Sequence, residues 1–111
     1  MKISKETDLY LFHDAKVGVM YYDYINKSIN FHIFLDSPLK SIKGDAIIRI
    51  TSIESVQLCS FEPWGKGIYI TELNIEEKTK YSIMTILLNS GDTFIINARV
   101  FELVFENRFF K

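Results

Sequence analysis

Apolar and polar residues alternate with a period of two along most of the chain. Ile29, Phe31, Ile33 and Leu35 fall on one side of an extended segment and Asn30, His32 and Phe34 on the other, which defines a strand. Val17 to Tyr24 alternates less regularly. The intervening Ile25-Asn26-Lys27-Ser28 has the length and Asn content of a hairpin connection, so the first two strands are expected to pair antiparallel. Pro38 lacks a donor and ends the second strand, and Ser41 to Asp45 reads as connection. A third strand carries Ala46, Ile48 and Ile50 against Ile47, Arg49 and Thr51. Ile53, Val56 and Leu58 then slip the period by one, which predicts a bend or split near Ser52.

Glu62-Pro63-Trp64-Gly65-Lys66-Gly67 is a loop by its Pro and Gly content, and it leads into a fourth strand of slipped register through Ile68, Ile70, Leu73 and Ile75. The charged turn Glu76 to Lys80 precedes a fifth strand, Tyr81 to Leu88, whose two apolar faces predict a central position. Asn89-Ser90-Gly91-Asp92 is the clearest turn, with Gly91 free to take positive φ and Asn89 able to bond its own backbone. Phe94, Ile96 and Ala98 follow as a strand. After a kink, Phe101, Leu103 and Phe105 alternate with Glu102, Val104 and Glu106, as a further strand or a short helix. Tyr10 to Ala15, with Thr7 or Asp8 as cap, is the other candidate helical turn. The expected fold is all-β and mainly antiparallel, with six to seven strands in a small sandwich or curved half-barrel, at most one or two short helical turns, and a single domain over 1–111.

Composition sharpens this reading. Ile, Val, Phe, Tyr, Trp and Thr supply 43 residues and Ala three, a bias toward side chains that suit a pleated surface. With 48% hydrophobic and 24% charged residues the chain is neither disordered nor of low complexity. Thirteen Lys and Arg against fourteen Asp and Glu leave no positive excess to neutralise phosphates, so nucleic acid is not an expected partner. The one cysteine makes no internal disulfide, which fits a reducing cytoplasm. The charged start of the chain lacks the apolar core of a secretory signal, and no run approaches the roughly 18 apolar residues of a membrane span, so no membrane partner is expected.

Catalytic chemistry is hard to place on this sequence. His13-Asp14 pairs an imidazole with a carboxylate, but adjacent residues rarely face each other, and His13 and His32 do not form a metal-binding spacing. Ser4, Ser37 and Ser90 lack a nucleophile motif, and Cys59 lies in an apolar segment where a buried inert thiol is expected. Gly65-Lys66-Gly67 is too short to cradle phosphates. No catalytic residue, cofactor or metal site is therefore expected. What remains is surface chemistry. Phe61, Glu62 and Trp64 put two large aromatics and an acid on one connection, either as a partner-binding site or with Trp64 folded back as a cap on the core. Tyr21, Tyr22, Asp23 and Tyr24 alternate so that one pair enters the core and the other is presented outward, with Tyr21 and Asp23 the candidate contact pair.

The order Leu11-Phe12-His13-Asp14-Ala15, a Tyr-rich first strand, the Trp64 loop, and Leu88-Asn89-Ser90-Gly91-Asp92 followed by Phe94 to Ala98 resembles small bacterial immunity proteins associated with polymorphic toxins, of the immunity protein 50 type. The resemblance spans residue 11 to about 106. It implies stoichiometric binding that blocks a cognate toxin inside the producing cell, without catalysis. It further implies that His13 and Asp14 lock the N-terminal segment onto the sheet and that Gly91 shapes a turn. Two other readings compete. One is a small-molecule-binding β domain with a pocket lined by Tyr22, Tyr24, Phe34 and Met84, and the other is a phage or mobile-element inhibitor of a bacterial defence nuclease.

Overall fold

The computed structural model describes residues 1–37 and 42–105. Six strands, β1 (Lys16–Asp23), β2 (Ser28–Ser37), β3 (Ile42–Leu58), β4 (Ile70–Glu77), β5 (Ser82–Leu88) and β6 (Thr93–Phe105), form one antiparallel sheet in the order β1-β2-β3-β6-β5-β4. The expected all-β class is what the chain adopts, as a single sheet rather than a two-sheet sandwich. The only helical element among the described residues is one 3-10 turn, Leu9–Phe12, whose Asp8 cap accepts from the Tyr10 N–H.

The sheet curls because its two long central strands turn together. Ile50 and Ile53 in β3 are both buried although three residues apart, and so are Ala98 and Phe101 in β6. These positions face each other, Ile50 against Phe101 and Ile53 against Ala98. Both strands therefore exchange faces at one place, where Ser52 takes φ +55° and the register shifts between Ile53 and Ser55. The bend expected near Ser52 is present, and β3 runs through it unbroken. The kink expected after Ala98 is the same corner seen on β6, which continues as a strand to Phe105 and forms no helix. Glu106 and Pro38 lie outside the described residues.

Other boundaries differ from expectation. Glu76 and Glu77, expected in the turn, extend β4 because they pair with Ile83 and Ser82 of β5. Ile42 to Asp45 is strand, because the end of β2 needs a backbone partner and finds it there, with Ser37 against Ile42 and Leu35 against Gly44. Ile68 and Tyr69 precede β4, which begins at Ile70 and carries its own bulge between Ile70 and Glu72. β5, expected to be central, is an interior strand between β6 and β4, and its Ile83, Thr85 and Leu87 face is half-buried.

Curling brings the two edges of the sheet into contact. Val17 N–H donates to Ile68 O at 2.7 Å, Ile70 N–H to Ala15 O and Asp14 N–H to Ile70 O at 2.8 Å each, so the start of β1 is stitched to the start of β4. The result is a half-barrel closed at one corner. Its concave face holds one core, built from Ile29, Phe31, Ile33 and Leu35 of β2 with their counterparts on β3 to β6. Residues 1–3 lie along β6, with Ile3 N–H donating to Phe101 O and Leu103 N–H to Met1 O, and the 3-10 turn then drops Leu11 and Phe12 into the open side. Phe12 and Ala15 are fully buried.

Candidate functional site

The connection between β3 and β4 is held by the β5–β6 turn. Asp92, itself buried, receives Phe61 N–H on Oδ1 at 2.7 Å and Glu62 N–H on both oxygens at 3.0 and 3.1 Å, and the Ser90 hydroxyl donates to Oδ2 at 2.9 Å. Trp64 N–H donates to Ser90 O, and Asn89 exchanges two bonds with Tyr69, taking its N–H on Oδ1 and giving its own N–H to the Tyr69 carbonyl. Asn89 therefore ties down a residue twenty positions away instead of bonding its own turn.

Two glycines allow this close approach. A Cβ on Gly91, where φ is +89°, would stand 2.7 Å from Trp64 Cδ2, and a Cβ on Gly67 would stand 2.5 Å from Ser90 N. Glu62 is held at φ +48° just before Pro63, a left-handed conformation that a side-chain-bearing residue adopts at some cost and that the Asp92 bonds maintain.

Burial works against the charge on Asp92, yet the Glu62 N–H, the Ser90 hydroxyl and the Phe61 N–H together outweigh it and hold the carboxyl below the usual aspartate range. The folded state thus releases this proton at lower pH than the unfolded chain does. Its stabilisation is complete above the unfolded aspartate value of about 3.9 and is lost as pH falls through the lower folded value. Asp92→Asn, which turns an amide donor toward the Glu62 N–H, is expected to lower the urea midpoint at neutral pH. The gap to the native protein should narrow as pH drops below 4, and a gap constant across that range would show that the carboxylate charge is not what holds the loop.

This polar scaffold presents apolar side chains outward. Phe61 is 85% and Trp64 69% exposed. Of the two roles open to Trp64, the core cap is the one the structure contradicts. Phe12, Phe31 and the aliphatic residues already fill the concave face, and the largely exposed indole lies against Gly91. Glu62 is exposed beside it.

Tyr21 and Asp23 lie elsewhere, on the β1–β2 hairpin. Tyr21 is exposed on the outer face and meets His32 edge-on at 6.1 Å. The Asp23 carboxylate is turned back on its own hairpin, accepting Asn26 N–H and Nδ2, bonds that hold it below the usual aspartate range. The expectation that one tyrosine pair enters the core is corrected, since Tyr22 and Tyr24 are exposed as well. β1 runs past the end of the core, and Tyr24 instead receives Lys27 Nζ over its ring at 3.3 Å. Among the described residues no ring contact joins this hairpin to Phe61 or Trp64.

The remaining chemistry is structural. His13 and Asp14 do approach, Nε2 to Oδ2 at 3.7 Å, contrary to expectation, because Asp14 takes φ +64°. His13 Nδ1–H donates to the Thr71 carbonyl at 2.9 Å and the ring stacks on Tyr10, so the pair fastens the N-terminal segment to β4. The cleft beside it, about 470 Å³, is lined by Leu9, Tyr10, His13 and Thr71 to Asn74. Cys59 is half-buried just beyond β3 rather than inside a strand. No group of three or more His, Cys, Asp or Glu is arranged to hold a metal among the described residues. Met84 is fully buried while Tyr22 and Tyr24 stand in solvent, so these side chains and Phe34 do not line a common pocket. No helix among the described residues is long and apolar enough to cross a membrane.

No family model matches the chain, and no curated protein or solved structure is significantly similar to it.

Proposed function

We propose that this chain is a non-enzymatic, cytoplasmic protein-binding protein that neutralises a bacterial toxin by occupying its surface, as the immunity proteins it resembles do. The observation that carries the reading is the contrast within one loop. A buried carboxylate, an asparagine and two close-approach glycines fix the backbone of residues 61–69, while Phe61 and Trp64 on that backbone face solvent. Rigid presentation of large aromatics removes the entropy cost of ordering them at an interface, which is how a small surface achieves affinity. Glu62 supplies an anionic group at the same tip, and Tyr21 with Asp23 forms a secondary patch.

The test is to look for a toxin gene beside this one and to purify its product. Titrating the purified chain against that toxin's activity is expected to give inhibition that is complete at one equivalent and independent of incubation time. Inhibition by catalytic amounts, growing with time, would instead establish an enzyme. A phage inhibitor of a defence nuclease shares the mechanism and differs only in the neighbouring genes.

A further inference from the structure

The two edges of the sheet are protected unequally. β4 has the N-terminal segment stitched along its start and bears Glu72, Glu76 and Glu77, charges that discourage another strand from pairing. Among the described residues, β1 has backbone cover only at its start. The direction of its backbone groups follows from register. Val17 points its N–H away from β2, to Ile68, and it sits opposite Ile33. After the bulge at Gly18 and Val19, Met20 sits opposite Phe31, two residues from Ile33 on β2 and so oriented alike, and Tyr22 follows opposite Ile29. Met20 and Tyr22 therefore aim N–H and C=O outward, and no backbone bond among the described residues reaches them. Val19 and Tyr21 beside them are 57% and 63% exposed, and no Lys, Arg, Glu or Pro stands between residues 17 and 22.

We infer that this edge pairs with a second copy of the same chain, β1 against β1 about a two-fold axis, to join two six-stranded sheets. The register is self-complementary. An antiparallel pair matches outward residues only with outward residues, and of the registers this allows, the one centred on Tyr21 sets Met20 of each copy against Tyr22 of the other. Tyr21 then lies opposite itself on the axis. Met20 and Tyr22 share the concave side with Phe31 and Ile29, so each thioether comes beside a tyrosine ring, a favourable contact made twice. Asp23 falls opposite Val19 of the other copy, so no like charge faces it directly across the seam, and its carboxylate is turned back toward Asn26. The seam lies on a different hairpin from the aromatic loop, so the dimer leaves Trp64 available, and it occupies the Tyr21 and Asp23 patch, which serves as a toxin contact only in the monomer.

Sedimentation equilibrium over a micromolar to submillimolar range tests this directly. The native chain is expected to dimerise, Tyr21→Lys and Tyr21→Glu to be folded monomers by circular dichroism, and a one-to-one mixture of the two to recover the dimer. Tyr22→Pro removes an outward donor without touching the β2 ladder and should also give a monomer. A native chain that stays monomeric throughout, a Tyr21→Lys chain that still dimerises, or a mixture that fails to recover would each overturn the inference. So would a dimer lost on Trp64→Ala, which would place the seam at the loop instead.

Discussion

Trp64→Ala is expected to weaken partner binding by about 2 kcal/mol or more, roughly 30-fold in Kd, while leaving the melting temperature nearly unchanged. The indole is 69% exposed and contributes little to the core, so its removal opens no cavity. Its contact with Gly91 is lost, and substitutions at exposed positions of this kind fall within about 0.5 kcal/mol. A tryptophan buried as a core cap would behave oppositely, costing about 3 to 5 kcal/mol of stability on truncation. Titration calorimetry and thermal melting on the same preparation separate these outcomes. Unchanged affinity in the folded variant would remove Trp64 from the interface and leave Tyr21 and Asp23 as the contact.

Phe12→Ala is expected to produce the largest loss of stability of any single truncation considered, about 3 to 5 kcal/mol. Phe12 is fully buried, and it stands on the 3-10 turn that fills the open side of the half-barrel. Asp14, Ala15 and Val17, which follow it closely, make the bonds that close β1 onto β4. A domain of this size is stable by only about 5 to 15 kcal/mol, so the variant should melt on the order of 15 °C lower and lie close to unfolding at physiological temperature. Urea unfolding monitored at Trp64 gives the measurement. A loss below about 1 kcal/mol would mean that the segment carrying Phe12 is dispensable to the core.

These residues show what a linear pattern reveals and what it conceals. The slip from Ile50 to Ile53 is visible in the sequence, and so is the one from Ala98 to Phe101, because each breaks a period of two. That the two slips lie opposite each other, forming a single corner of the sheet, depends on pairing across about fifty residues, which periodicity does not encode. Gly91 was legible as a turn residue, whereas Gly67 matters for an approach to Ser90 that exists only after folding. The role of Asp92 is the least visible in the sequence. It follows a turn as many solvated aspartates do, and its partners are backbone N–H groups thirty positions upstream that carry no signature in the side-chain sequence. Trp64 stayed ambiguous because an indole serves a core and an interface equally well, and only its exposure distinguishes them.

The bonds between residues 1–3 and β6 also bear on how the chain is made. Ile3 waits for Phe101, and the Met1 carbonyl for Leu103, so residues 1–3 find their partners only on a segment made much later. At about 5 to 20 residues per second, some 100 residues of synthesis separate the two, an interval of roughly 5 to 20 s. The native sheet cannot be completed during that interval, and the nascent chain carries an unsheltered β-rich segment through it. Any step that slows synthesis between these two segments lengthens the time for which residues 1–3 and the strands around them stay without their final partner.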